Sequence, residues 1–195
     1  MLLALAAEAA AQPKIVVLGD SLTAGYGLAP DQSFPAQLQA ALDTESIAAK
    51  VINAGVSGDT TAGGLARLDW VLKDDPDAVI VELGANDGLR GLDPSESYAN
   101  LDAIVTKLRK RDIKVLIAGM LAPPNLGKEY GAAFNAIYPR LARIHSVALY
   151  PFFLDGTAGN RELTQADGLH PTADGVAAIV QRILPYVLKL LGEGQ

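Results

Sequence analysis

The chain has 195 residues, with 16 Lys and Arg against 22 Asp and Glu and a formal charge of −6. Half of it is hydrophobic and 19% is charged, which is enough for one sizeable core and excludes disorder as the main state. The acidic balance gives no basic footprint for nucleic-acid phosphates, and the lack of Cys excludes disulfides, thiolate metal sites and a cysteine nucleophile.

Residues 1–12, MLLALAAEAAAQ, join a short apolar run to small residues with Ala-x-Ala spacing, as at the end of a secretory leader, although the basic segment that usually opens one is missing. We expect a leader remnant here, and with it a periplasmic or secreted protein. The alternative is an ordinary N-terminal helix, because Ala, Leu and Glu are good helix formers. Residues 13–195 are expected to form a single domain, and no later run approaches the ~20 apolar residues of a membrane span.

From Lys14 onward, short apolar runs alternate with helical patterns. Ile15-Val16-Val17-Leu18 stops at Gly19, Val51-Ile52 stops at Asn53-Ala54-Gly55, Ala78-Val79-Ile80-Val81 with Leu83 stops at Gly84, and Val115-Leu116-Ile117 stops at Gly119. A fifth, weaker strand is expected over 147–150. Strands apolar on both faces belong to a parallel sheet covered by helices. Helices are expected over 33–44, 60–73, 94–111 and 129–145, and Pro171 at a first helical position would open a last helix reaching Leu191. The pattern predicts an α/β fold, an open, doubly wound parallel sheet of five strands with helices on both faces.

Such sheets bind ligands beyond the carboxyl ends of their strands. There the sequence places Gly19-Asp20-Ser21-Leu22-Thr23, Asn53-Ala54-Gly55-Val56-Ser57-Gly58-Asp59 and Gly84-Ala85-Asn86-Asp87-Gly88. A serine hydroxyl needs a base within hydrogen-bond reach to act as a nucleophile, and of the two histidines His170 is the better candidate. Asp167 precedes it by three residues and can hold the imidazole tautomer. His145 falls near a helix end, where a cation suits the dipole, and is read as structural. Acyl transfer also needs donors aimed at an oxyanion, which the Ser21 N–H, the Gly55 N–H and the Asn86 amide could supply. Each of these types is also ordinary in turns after strands; their weight lies in convergence at one sheet edge.

Gly19-Asp20-Ser21-Leu22, Gly55, Gly84-Ala85-Asn86-Asp87 and Asp167-x-x-His170 resemble, in order, the four signature blocks of the SGNH (GDSL-type) hydrolases. The longer strings GDSLTAGYG, NAGVSGDTTAGGLARL, ELGANDGLRG and DGLHP are most similar to a bacterial branch of thioesterases, lysophospholipases and arylesterases. The resemblance implies a flavodoxin-like three-layer α/β/α fold and no cofactor. It also implies Ser21 as nucleophile, His170 as base and Asp167 as its orienting acid, with the Ser21 and Gly55 N–H groups and the Asn86 amide as oxyanion hole. The expected activity is hydrolysis of carboxylic esters, aryl or short-to-medium acyl, extending to lysophospholipids or acyl thioesters.

Leu22, Leu89, Leu92, Leu121, Pro123, Leu126 and Leu169 flank these blocks and predict an apolar acyl groove. In the branch it resembles, the loop after the third block, here 88–93, rearranges over the acyl chain, and Gly88 and Gly91 would allow that. Pro123 and Pro124 should stiffen the opposite wall. Asp20, Asp59 and Asp87 could suggest a magnesium site, but Asp in such loops more often accepts from backbone amides, and no metal is expected. Glu82 interrupts an apolar strand and is read as support for a neighbouring loop; Trp70, Tyr98 and Tyr138 are read as packing residues. Two other classes compete. A non-catalytic flavodoxin-like module lacks a phosphate loop of the Gly-x-x-x-x-Gly-Lys-Ser/Thr kind, and a metal-dependent phosphoesterase would rest on the loop aspartates and a chelatable metal. The expected partner is a small ester or lipid; nucleic acid is not expected.

Overall fold

Consecutive branched apolar residues can all be buried in a strand only where both faces of the sheet are covered. The computed structural model, which describes residues 12–193, meets that condition. In chain order the elements are β1 (Lys14–Gly19), α1 (Ser21–Ala24), α2 (Phe34–Thr44), β2 (Lys50–Gly55), α3 (Thr61–Ala66), α4 (Leu68–Val71), β3 (Ala78–Glu82), α5 (Ala85–Leu89), α6 (Pro94–Arg109), β4 (Lys114–Ala118), α7 (Lys128–Asn135), α8 (Ile137–His145), β5 (Ala148–Tyr150) and α9 (Ala173–Leu191). The strands pair in the order β2-β1-β3-β4-β5, all parallel. Helices α2 and α9 pack together in one layer, and α3, α6 and α8 in the other.

Burial follows position in the sheet. Ile15 to Leu18 of β1 and Ala78 to Glu82 of β3 are buried throughout, whereas the edge strands β2 and β5 are partly open. Each Val, Ile or Leu so buried contributes ~1.5–3 kcal/mol, so the central strands carry most of the cohesion. The chain leaves β1 for β2 on one side and returns past β1 to β3 on the other. The carboxyl ends of β1 and β3 therefore form the switch point at which an open α/β sheet leaves a crevice.

Several expected elements change in the structure. The helix over 60–73 breaks at Arg67 (φ −100°, ψ 6°) into α3, α4 and a 3₁₀ turn at Leu72–Asp74. That over 129–145 breaks at Ala136, because Pro139 has no N–H for the Asn135 carbonyl. Pro171 does not open α9: Thr172 is its N-cap, extended at φ −74° and ψ 174°, with a hydroxyl that accepts the Gly175 N–H at 3.2 Å. Tyr138 is buried and its hydroxyl donates to the Leu83 carbonyl at 3.0 Å, and Tyr98 lies under the Arg140 guanidinium. Trp70, expected to pack, is 60% exposed instead, on the outer face of α4. Among the described residues no helix is long and apolar enough to cross a membrane. The leader-like segment before residue 12 lies outside the described residues.

Candidate active site

Gly19 ends β1 where a side chain would run into Thr23 and Glu82, and the chain turns at once into α1. Asp20 caps that one-turn helix: its Oδ1 accepts the Leu22 N–H at 3.0 Å, which leaves Ser21, half-buried, at the tip of the strand-to-helix turn. Below it lies Glu82 at the end of β3, fully buried, with Oε2 accepting the Asp20 N–H at 3.3 Å and the Thr23 hydroxyl at 2.7 Å. Glu82 thus supports the serine turn.

Burial dominates both acids. It raises the Asp20 carboxyl to about 6 against the pull of the Leu22 and Asn86 hydrogen bonds. Glu82 is pushed well above the ordinary range by burial first and by the neighbouring Asp20 charge second. Both acids therefore ionise less readily than solvated carboxyls. The Glu82 Oε1 has no hydrogen-bond partner among the described residues.

Across the crevice, residues 165–171 form an irregular turn ahead of α9. Asp167 Oδ1 accepts the Leu169 and His170 N–H groups at 2.9 and 3.0 Å, and Gly168 (φ +70°) supplies the left-handed step that closes the turn. Asp167 Oδ2 lies 2.6 Å from His170 Nδ1, and His170 Nε2 lies 2.9 Å from Ser21 Oγ. The His170 hydrogen bond, followed by the two backbone donors, holds Asp167 down at about 2. A hydroxyl, an imidazole and an ionised carboxylate are thus connected in series.

Asn86 sits in the first turn of α5, and its amide donates to Asp20 Oδ2 at 3.1 Å and to the Asp59 carbonyl at 2.8 Å. Gly55 does not reach the site as expected. Its N–H donates to Asn53 Oδ1 at 2.9 Å, and its Cα packs on the backbone of Thr23 and Ala24. Gly58, three residues on in the same loop, lines the crevice beside Ser21 and Asn86 with φ +86°. Neither the Ser21 N–H nor the Gly58 N–H is used by any hydrogen bond among the described residues. Arg67 pins this loop: its guanidinium meets Asp59 at 2.6 Å and donates to the Gly19 carbonyl at 2.9 Å. Two glycines stand in that block, and the sequence alone offered no signal to choose between them.

From Ser21 a cavity of about 560 Å³ runs between apolar walls. Leu22, Leu89, Leu121, Pro123 and Leu169 all line it as expected, joined by Met120 and Phe152, while Leu92 and Leu126 do not. Gly88 is not a free hinge, since it lies inside α5 against Phe134 and Pro123; Gly91 is left-handed at φ +62°. Asp87 is buried and accepts from the Thr61 N–H and hydroxyl and from Ser97, and Asp59 is paired with Arg67. The three loop aspartates therefore organise the loops around the crevice. His145 meets Asp102 at 2.8 Å on α6 and α8, outside this site.

Residues 17–178 match the model of the GDSL-like lipase/acylhydrolase family. The chain belongs to this family. It is 41% identical over 190 residues to esterase TesA of Pseudomonas aeruginosa, covering 97% of this chain and 94% of that protein. It is 40% identical over 168 residues to thioesterase 1/protease 1/lysophospholipase L1 of Escherichia coli K12, covering 86% and 79%. Among solved structures, AlinE4, an SGNH-hydrolase family esterase, superposes with a TM-score of 0.78 at 49% identity, covering 92% of this chain and 97% of that one. The GDSL-type blocks read from the sequence are thus those of a true family member, with its α/β fold and its place among the ester hydrolases.

Proposed function

We propose that the chain hydrolyses neutral carboxylic esters, aryl esters and short-to-medium acyl esters foremost, through an acyl-enzyme on Ser21. The observation that carries this reading is the Ser21–His170–Asp167 series at the mouth of an apolar cavity. His170 Nε2 takes the Ser21 proton as Oγ bonds to the ester carbonyl carbon, then passes it to the departing alkoxide or phenoxide. Water repeats the sequence on the acyl-enzyme, releasing the acid and freeing Oγ. Asp167 holds Nδ1–H and stabilises the imidazolium. The Ser21 and Gly58 N–H groups are the proposed donors to the oxyanion, joined by the Asn86 amide once it gives up one of its two hydrogen bonds, to Asp20 or to the Asp59 carbonyl. Among the described residues, His170 and Tyr26 are the only ionisable side chains lining the cavity, which favours an uncharged acyl group. The apolar walls and the family extend the range to lysophospholipids and acyl thioesters. The leader-like composition of residues 1–12 supports a periplasmic or secreted location.

The test is hydrolysis of nitrophenyl esters of increasing acyl length by the parent protein and by Ser21→Ala, with and without a chelator. Turnover by the parent should ignore the chelator, and Ser21→Ala should lose on the order of 10⁴–10⁶ in kcat with the fold intact. Near-parent turnover in Ser21→Ala would overturn the reading.

A further inference from the structure

The Asp167–His170 pair is built by one local turn, but the Ser21–His170 hydrogen bond joins groups 149 residues apart. Residues 165–171 belong to no helix or strand; an isolated bridge, Thr164 to Pro171, and hydrogen bonds within the turn hold its ends together. Something must hold this turn against the serine loop, since a misplacement of ~1 Å between reacting groups costs on the order of 10²-fold in rate.

We propose that Tyr26 and Gln165 form a clamp that sets the distance between His170 and Ser21, making both positioning residues for the hydrolysis proposed above, on which this inference rests. Tyr26 touches each part. Its N–H donates to the Ser21 carbonyl at 3.1 Å, and its ring lies over the His170 imidazole with centroids 4.6 Å apart and planes tilted by 37°. Its carbonyl accepts the Gln165 amide at 2.8 Å. The same amide donates to the Pro171 carbonyl at 2.9 Å, and the Gln165 backbone N–H donates to the His170 carbonyl at 2.7 Å. Gln165 therefore holds two successive carbonyls of the histidine segment while gripping the serine loop.

The backbone is shaped for this contact. Gly25 (φ +84°) and Gly27 (φ +74°) reverse the chain on either side of Tyr26, and a side chain at Gly27 would strike Gln165 Oε1. The Tyr26 hydroxyl makes no hydrogen bond among the described residues, so the ring and the main chain do the holding.

Steady-state kinetics on a nitrophenyl ester and melting curves for Gln165→Leu, Tyr26→Ala, Tyr26→Phe and the double variant Tyr26→Ala/Gln165→Leu test the clamp. Gln165→Leu should lower kcat ~10–100-fold with KM within about twofold, because the geometry of the reacting groups changes and Gln165 does not line the cavity. Tyr26→Ala should lower kcat by a similar factor, and only its kcat bears on the clamp, since its ring lines the cavity. Tyr26→Phe should stay within about twofold, and the double variant should lose less than the product of the single losses, as residues acting through one contact do. Parent-like kcat in Gln165→Leu, a raised KM at level kcat in that variant, or additive losses would overturn the clamp. Should Gln165→Leu not fold, Tyr26→Ala decides alone, since that ring is 55% exposed, and parent-like kcat there overturns the proposal. Activity that survives Ser21→Ala in the same assay would instead overturn the hydrolase reading, and the clamp with it.

Discussion

Two acidic devices serve Ser21, and they are opposites. Asp167 lies on an exposed turn three residues from the histidine it orients, where a hydrogen bond to that ring and two backbone donors hold its carboxyl at about 2. Asp20 and Glu82 lie buried under the serine, 62 residues apart, and burial raises both. Donors to the carboxylate favour its ionised form, whereas a dry site under a turn favours the neutral one. The same residue type thus does electrostatic work in one place and structural work in the other, and the surroundings decide which.

The sharpest way to break this comparison is one change made at both places. Asp167→Asn removes the charge that holds the imidazole and should lower kcat on the order of 10⁴-fold. Glu82→Gln keeps the shape of a side chain that burial already biases toward its neutral form and should lower it less than about tenfold. Equal losses at the two positions would show that Glu82 works as a charge.

Asn86 stands between the two devices, held by Asp20 and facing the crevice. Asn86→Ala should reduce kcat ~10²–10³-fold with little change in KM, as expected of a donor that matters most once the oxyanion forms. A risen KM at level kcat would make it a ground-state binding residue.

Stability against pH separates the devices by sign. For Asp20, raised to about 6 from 3.8, the folded state keeps a proton that the unfolded chain has already lost, so stability falls as pH rises from about 4 to about 6. Glu82, raised in the same direction, adds to the fall. Asp167, lowered to about 2, acts the other way: its contribution is present above about 4 and is lost as pH falls toward 2. Melting temperatures across pH 3–8 for the parent and Glu82→Gln check this. The variant should flatten the decline toward high pH and leave the acid side unchanged.

The smallest effect belongs to the second histidine. The pH dependence of turnover should belong to the base at His170. His145→Gln should leave that profile in place and kcat within about twofold, because His145 meets Asp102 away from the crevice. A profile that moves with His145 would mean that the base has been misassigned.

Much of this was legible in the residues because it rests on neighbours along the chain. Apolar runs of three or four residues marked β1, β3 and β4, and the order of the loops after them placed Ser21 and Asn86 at one sheet edge. Asp167 and His170 stand three apart, so their contact needs only one turn. What the sequence could not decide depends on direction and depth. Gly55 and Gly58 are chemically alike, and only the path of the chain past β2 turns one N–H to Asn53 and brings the other to the cavity wall. Trp70 reads as a packing residue on a helical pattern until the break at Arg67 leaves it facing outward. The support that Glu82 gives Asp20 and the grip of Gln165 on Tyr26 join groups 62 and 139 residues apart in sequence. Periodicity carries no information about such pairs; burial and hydrogen-bond direction arise only once the sheet has brought the loops together.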